Sequence, residues 1–283
     1  MTSLSLSARP IITSAVKQNV SAQDFAFSGT SEKFDYIGVA DGHGKVLNAL
    51  HPTTILKNLD WGSFLQSSTY FQSIIEKTGV FETNGVGSTL CICKVYDDRF
   101  EFSWVGDSTG KLYKNGECIF KTLDHDRNNV SEDLRLNDDP DVVVQTEKKN
   151  GQPIWDIEIV NPTTVKSVKV KLYKFRYNNT INFTHALGHA CVTGKHFSTE
   201  TIPREKDASY KVVCGTDGLW AMVCEEDNVF VGKKETTAEN LVELADKRWR
   251  QEWNHDNGTS ITKGARFPEH NIDDIGVACW QYL

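Results

Sequence analysis

The sequence predicts a chain of mixed α and β structure whose sheet is antiparallel, on the strength of two consecutive hairpin patterns and one well-capped helical segment. The first hairpin joins Gly87 to Val95 with Phe100 to Gly106 across Tyr96-Asp97-Asp98-Arg99. The second runs from Lys111 to Phe120 and turns at Asn115-Gly116, a dipeptide that accepts positive φ. The helix spans Thr237 to Trp249, with Thr236 or Thr237 as N-cap and basic residues in its last turn.

In chain order, Pro10 to Val16 reads as a first strand and the β-branched, aromatic run Phe34 to Ala40 as another. Between His51 and Thr78, Ile55, Leu56, Leu59, Phe64, Leu65, Phe71, Ile74 and Ile75 recur at helical spacing, which leaves room for one or two helices. Asn128 to Phe183 is the least regular stretch, broken by Asn137-Asp138-Asp139-Pro140-Asp141 and by Gly151-Gln152-Pro153. Inside it, Thr163 to Tyr177 alternates Val165, Val168, Val170, Leu172 and Phe175 with Lys and Arg, a strand pair or hairpin with a basic outward face. Ile275 to Trp280 closes the chain as a last strand. No repeat, linker or compositional break divides the sequence, so one domain over residues 1–283 is expected.

A chain of 283 residues can bury one large core or two small ones. Its formal net charge of -7 argues against a nucleic-acid backbone or an anionic membrane surface as partner, because both reward clustered Lys and Arg. The 7 cysteines form no Cys-x-x-Cys pair and lie in apolar surroundings, as reduced core residues of an intracellular, cytoplasmic protein do. Met1 to Ala22 is Ser/Thr-rich and free of acids, a faint transit-peptide character, yet it lacks a secretory apolar core. No apolar run approaches the roughly 20 residues that span a bilayer, so a soluble protein is expected.

Asp41 and Asp217 each end an apolar run directly before a glycine, in Val39-Ala40-Asp41-Gly42-His43-Gly44 and Cys214-Gly215-Thr216-Asp217-Gly218-Leu219-Trp220. Asp24 and Asp273 also flank strand-like runs. Carboxylates gathered at several strand ends suit octahedral Mg²⁺ or Mn²⁺, which prefer hard oxygen ligands and keep part of their hydration. Gly42 adds a main-chain carbonyl with no side chain in the way. Two such ions, roughly 3.5 to 4 Å apart and sharing a carboxylate, polarise a phosphoryl oxygen and lower the pKa of a shared water. His43 stands beside the bridge, and an unperturbed imidazole, titrating near pH 6.5, can protonate a leaving alkoxide. Singly, each residue has an ordinary reading: Asp-Gly is a common turn dipeptide, Asp24 a cap or turn acid, and His43 a hydrogen-bonded surface residue.

Taken in order, Gln23-Asp24, Val39-Ala40-Asp41-Gly42-His43-Gly44, Gly87-Ser88-Thr89-Leu90, Val105-Gly106-Asp107-Ser108, Asp124-His125 with Glu132 and Arg135, Ala186-Leu187-Gly188, Thr216-Asp217-Gly218-Leu219-Trp220 and Ile272-Asp273-Asp274-Ile275 form one series. Through this series, which runs from about the twentieth residue to the end, the chain resembles the metal-dependent serine/threonine protein phosphatases of the PP2C (PPM) family. The resemblance implies an α+β fold, a four-layer α-β-β-α sandwich with two central, mainly antiparallel sheets and the metal site at one end of the sheet pair. It implies that Asp41 bridges two Mn²⁺ or Mg²⁺ ions, with the Gly42 carbonyl on one and Asp217 and Asp273 on the other. Asp24 supports the cluster through water, Asp107 helps hold a weaker third ion with Asp217, and His43 is the general acid. The implied partner is a phosphoprotein substrate, with no nucleic acid and no membrane, and a monomer is expected.

Several positions depart from the family pattern. Gln23 stands where an acid is usual, and Asn19 occupies the place of an arginine that in many members grips the substrate phosphate, which leaves Lys17 or another base to bind it. Thr109, His185, His189, Ala221 and Asp274 also replace the family's usual residues. The first acids survive while their polar surroundings drift, which favours a divergent metal-binding phosphatase over a partner-binding pseudophosphatase, the alternative reading. A compact calcium module is disfavoured because the acids are scattered along the chain. Residues 137–183 occupy the place of the family's variable flap, and Lys166, Lys169, Lys171, Lys174 and Arg176 there either steer acidic partners or form a solvated strand face.

Overall fold

The computed structural model describes residues 9–19, 21–44, 51–78, 86–126, 128–137, 142–146, 148–149, 152–153, 155–170, 172–175, 180–181, 183–188 and 197–282. Side-chain alternation along its strands sorts the apolar residues into three layers, and the architecture follows from that sorting. One sheet has the order Ile11–Lys17, Ile275–Tyr282, Tyr210–Gly215, Thr109–Lys114, Glu117–Lys121. The other has the order Ser198–Pro203, Arg99–Val105, Leu90–Val95, Asp35–Ala40, Phe25–Thr30. Every neighbouring pair in both is antiparallel.

Between the sheets, Ile37, Val39, Cys91, Cys93, Phe100 and Phe102 meet Leu112, Val212, Cys214, Ala278 and Trp280. The intervening residues of the same strands face outward and need cover. Val213, Val277 and Cys279 pack under Leu241, Ala245 and Trp249 of the helix Ala238–Arg250. Ala40, Leu90 and Ile92 pack under Leu56, Trp61, Leu65, Tyr70 and Ile74. These come from Pro52–Lys57, Trp61–Phe64 with its C-cap, and Tyr70–Thr78. Three buried layers between four structural ones make the α-β-β-α sandwich expected from the sequence.

Both hairpins form, the first between Leu90–Val95 and Arg99–Val105, while Gly87–Ser88 leaves it to pair with Gly42–His43 and Leu187–Gly188. Asn115 and Gly116 turn the second with φ of 52° and 86°, the left-handed pair that the right-handed twist of two short strands requires. Thr237 caps the long helix, its hydroxyl accepting from the N–H of Asn240 while the Asn240 side chain accepts from the N–H of Thr237. The 51–78 stretch differs from expectation in dividing into three helices. Asp60 starts the second by accepting from the N–H of Ser63, so its carboxylate interrupts a periodicity that apolar spacing alone carries through.

The 163–177 stretch is not a hairpin with itself. Thr164–Lys169 pairs antiparallel with Trp155–Asn161 and, on its other edge, parallel with Trp253–Asp256. Leu172–Phe175 joins a separate small sheet with Val142–Thr146 and Thr180–Ile181. Alternation fixes which side chains share a face but says nothing about which distant strand supplies the hydrogen bonds. Val165 is buried under the helix, whereas Lys166 pairs with Glu158 at 2.9 Å; Lys171 and Arg176 lie outside the described residues.

Cys91, Cys93, Cys118, Cys214, Cys224 and Cys279 carry no disulfide, and Cys191 lies outside the described residues. Among the described residues no helix is long and apolar enough to cross a membrane.

One buried ion pair pins the long helix to the chain below it. Arg248 donates to both carboxylate oxygens of Asp227 and, at 2.7 Å, to the carbonyl of Met222, and its side chain is 6% exposed. Asp227→Ala therefore strands a buried guanidinium and is expected to lower stability by about 3–5 kcal/mol in urea unfolding, with most of the loss recovered when Arg248→Met is added. A single-variant loss under about 1 kcal/mol would show that the pair is dispensable.

Candidate metal centre and the cleft around it

Strand register brings the acids together. Phe25 pairs with Ala40, so the next residue out from each strand end is Asp24 on one side and Asp41 on the other. Gly215 pairs with Val277, which sets Asp217 and Asp273 just beyond one end of the other sheet. Leu90 pairs with Val105, two residues before Asp107. The result is a cleft of about 330 Å³ lined by Asp41, Gly42, His43, Asp107, Asp217 and Asp273, together with Ser21, Gln23, Gly44, Thr89 and Phe183.

Asp41 is fixed by a two-way backbone clasp. Its N–H donates to Thr89 Oγ1 at 3.1 Å, its carbonyl accepts the Thr89 N–H at 2.8 Å, and Thr89 Oγ1 lies 2.6 Å from Ser108 Oγ. Asp217 begins the short helix Asp217–Trp220 directly after Thr216, whose hydroxyl makes no cap bond, and its Oδ1 is buried with no hydrogen-bond partner among the described residues. Asp24, 2% exposed, does not line the cleft; its Oδ2 lies behind the wall and accepts the Thr216 hydroxyl at 2.7 Å. Asp273 accepts the N–H of Asp274 on Oδ1 at 2.9 Å.

The two Asp-Gly pairs are not glycine turns. Neither Gly42 nor Gly218 has positive φ. A Cβ on Gly218 would sit 1.8 Å from the Asp274 carbonyl oxygen, and one on Gly42 would sit 2.3 Å from Thr53 Oγ1 and 2.9 Å from the Gln23 backbone. The glycines give clearance where segments cross behind the acids.

Electrostatically the cleft is strained. Burial first, then the charges of Asp217, Asp24, Asp273 and Asp107, push the Asp41 pKa well above the usual carboxylate value. Burial and neighbouring acids do the same to Asp24 and Asp107, and burial followed by Asp217 pushes Asp273 up to about 8. Among the described residues, no Lys or Arg lines the cleft to offset them. All the donors are hard oxygens, Asp217 Oδ1 has no partner among the described residues, and the clustered negative charge is what a divalent cation relieves, so the set fits Mg²⁺ or Mn²⁺. Among the described residues, as placed, no three His, Cys, Asp or Glu side chains form a ready-made ligand cluster.

Other polar groups hold this arrangement, and sequence reading missed the chief one. Asp274, 1% exposed, accepts the N–H groups of Asn19 and Gln23 at 2.5 and 2.8 Å and the Ser21 hydroxyl at 2.5 Å, organising the loop before Asp24. The available signal was the doubled Asp273-Asp274 at a strand start, where adjacent side chains point opposite ways and so serve two sites. Gln23 donates to the Gly44 carbonyl at 2.8 Å. Lys17 does not line this cleft; it stands 4.0 Å from Asp246, in a neighbouring cleft beside Asn19 and Arg250. The His43 ring lies against Phe183, centroids 4.3 Å apart.

The pieces around residues 124–137 and 184–188 brace Asp107. His125 Nδ1 accepts the Gly106 N–H at 3.2 Å, so its proton sits on Nε2 and is donated to Ser198 Oγ at 2.8 Å. Burial, then the nearby His185, pulls the His125 pKa down to about 4, keeping it neutral. Burial works against Glu132, yet His185, Arg135 and Thr184 hold its carboxyl well below the usual range.

A family model described as Protein phosphatase 2C matches residues 18–254. No curated protein sequence matches the chain. Among solved structures, a C. elegans sex determining protein is similar with TM-score 0.63 and 15% identity, over 97% of this chain and 65% of that one. The S. agalactiae serine/threonine phosphatase is similar with TM-score 0.56 and 17% identity over 97% of this chain and 100% of that one. The Mycobacterium tuberculosis serine/threonine phosphatase follows at 0.55 and 14%, over 97% and 98%. At these identities the structures establish the fold.

The raised carboxyls make a pH prediction. With Asp273 at about 8 in the folded protein against an ordinary 3.8, the folded state keeps a proton that the unfolded chain releases, so metal-free stability falls as pH rises across that window. Asp273→Asn is therefore expected to melt higher than the parent at pH 8 in chelator, with the difference shrinking toward pH 4, by scanning calorimetry. A parent whose melting temperature is flat across the window would contradict the crowding of charge.

Proposed function

The chain belongs to the protein phosphatase 2C family, and on that premise we propose that it hydrolyses phosphoserine and phosphothreonine in proteins with two divalent cations, Mn²⁺ or Mg²⁺, held in the acid cleft. The supporting observation is the convergence of Asp41, Asp107, Asp217 and Asp273 from separate segments on one cleft with no Lys or Arg among its described lining residues. Stability alone gives no reason to gather mutually repelling acids there.

In this reading Asp41 would be the carboxylate shared by the two ions, the Gly42 carbonyl would serve one of them, and Asp217 and Asp273 would hold the other. Asp24, hydrogen-bonded to Thr216, steadies the wall behind them, and Asp107 shares a weaker third ion with Asp217. Bound there, the ions supply Lewis-acid polarisation of the phosphoryl group and a water of lowered pKa. His43, seated against Phe183 at the cleft wall, delivers a proton to the departing seryl or threonyl oxygen. The chain works as a single domain over 1–283 with a flap at 137–183, as an intracellular, cytoplasmic monomer on phosphoprotein substrates.

A second reading, a partner-binding pseudophosphatase, draws on Asn19 and Gln23, whose side chains are spent on main-chain hydrogen bonds to Asp273 and Gly44. Metal titration separates the two, since the scaffold has no need of Mn²⁺.

Hydrolysis of a phosphopeptide is expected to stop with chelator, return with Mn²⁺, and fall to background in Asp41→Ala or Asp217→Ala. His43→Gln is expected to slow a phosphoserine peptide about 10²-fold while sparing p-nitrophenyl phosphate, whose leaving group needs no proton. Chelator-resistant turnover would refute the reading.

A further inference from the structure

Among the described residues, the lining of the acid cleft offers an incoming phosphomonoester dianion no Lys or Arg. Four lining carboxylates already match the charge of two divalent ions, so among the described residues the counter-charge for an incoming phosphate comes from beyond that lining. Arg250 is placed to supply it. It ends the helix Ala238–Arg250, and its Nη2 donates to Asn19 Oδ1 at 2.8 Å. Asn19 in turn donates from Nδ2 to the Asp273 carbonyl at 2.5 Å and from its backbone N–H to Asp274 Oδ1 at 2.5 Å. One neutral amide therefore separates the guanidinium from the backbone of an acid that lines the cleft.

The guanidinium is also oriented. Its Nε donates to Asp246 Oδ1 at 3.0 Å, one turn back on the same helix, which leaves the Nη edge turned toward Asn19. The side chain is 46% exposed and lines an open cleft of about 350 Å³ with Lys17, Gln18, Asn19, Glu269 and Ile272. Lys17, 47% exposed and 4.0 Å from Asp246, adds a second positive charge, while Glu269 is the competing acid on that lining.

We propose that Arg250 is the phosphate-binding residue of this protein, releasing Asn19 Oδ1 to place its two Nη groups on the non-bridging oxygens of the substrate phosphate. The exchange replaces a neutral acceptor by a dianion and keeps the Asp246 anchor, so it strengthens the contact. This inference rests on the phosphatase reading of the acid cleft.

The test is calorimetric titration of inorganic phosphate into the full chain saturated with Mn²⁺, comparing the parent with Arg250→Ala, Arg250→Lys and the double variant Arg250→Ala/Asn19→Arg. Arg250→Ala is expected to weaken phosphate about tenfold or more, without change in Mn²⁺ affinity or melting temperature. Arg250→Lys should fall between, because an ammonium keeps the charge and loses the fork. The double variant should recover part of the loss. Phosphate affinity within twofold of the parent in Arg250→Ala would overturn the proposal. So would a loss confined to phosphopeptides with acidic neighbours, which would make Arg250 a reader of flanking residues. A parent that binds Mn²⁺ and phosphate yet turns nothing over sinks the hydrolase reading alone.

Discussion

Four carboxylates open onto one poorly solvated cleft with no Lys or Arg among its described lining residues, and much of the architecture serves to hold them there against their own repulsion. The restraint is covalent and positional. Each acid sits within a few residues of a sheet strand whose register is locked by a full ladder and by apolar burial on both faces, so retreating from its neighbours would mean slipping a strand and turning its core side chains outward. The acids are thus tied to the three hydrophobic layers. Clearance is the complementary requirement: the Gly42 and Gly218 backbones pass so close to Gln23, Thr53 and Asp274 that a single methyl group would push the acids apart.

Much of this was legible in the sequence because it is local. Apolar runs ending in Asp41 and Asp217, the Asn115-Gly116 turn, and the Thr237 cap each carry their signal within a few residues, and each forms where it was read. The Asp-Gly pairs were also visible, although for the wrong reason: a turn preference was read where the structure requires close approach. What escaped is long-range. Asp274 holds a loop some 250 residues away, Thr216 holds Asp24, and the 164–169 strand takes its parallel partner from the far end of the chain. No periodicity encodes those pairings, because period fixes faces and leaves partners open.

Asn19 and Gln23 show the same division between local and distant information. Read alone, each is the loss of a charged group near the cleft. In the structure the Gln23 amide donates to Gly44, and the Asn19 amide is engaged at both ends with Asp273 and Arg250, so the positions have become part of the scaffold that sets the acids. A neutral amide at position 19 can accept from a guanidinium; an arginine there would repel the one on Arg250. The two residues are therefore a matched pair, and neither is interpretable without the other.

The helix Ala238–Arg250 is where these threads meet. Its buried face covers one sheet through Leu241, Ala245 and Trp249, its Arg248 is neutralised by Asp227, and its last residue reaches Asn19. The chain then continues into Trp253–Asp256, whose parallel pairing with Thr164–Lys169, with Gln251 donating to the Pro162 carbonyl at 2.8 Å, moors that segment next to the helix end. A small sliding of this helix on its sheet would move the guanidinium and the mooring of the segment together, since both are attached at its C-terminal end. The buried Arg248–Asp227 pair, one turn or less from each attachment, opposes that sliding, because any displacement leaves both charges desolvated and poorly matched. Packing of the helix thereby sets where a phosphate would be gripped as well as what covers the sheet.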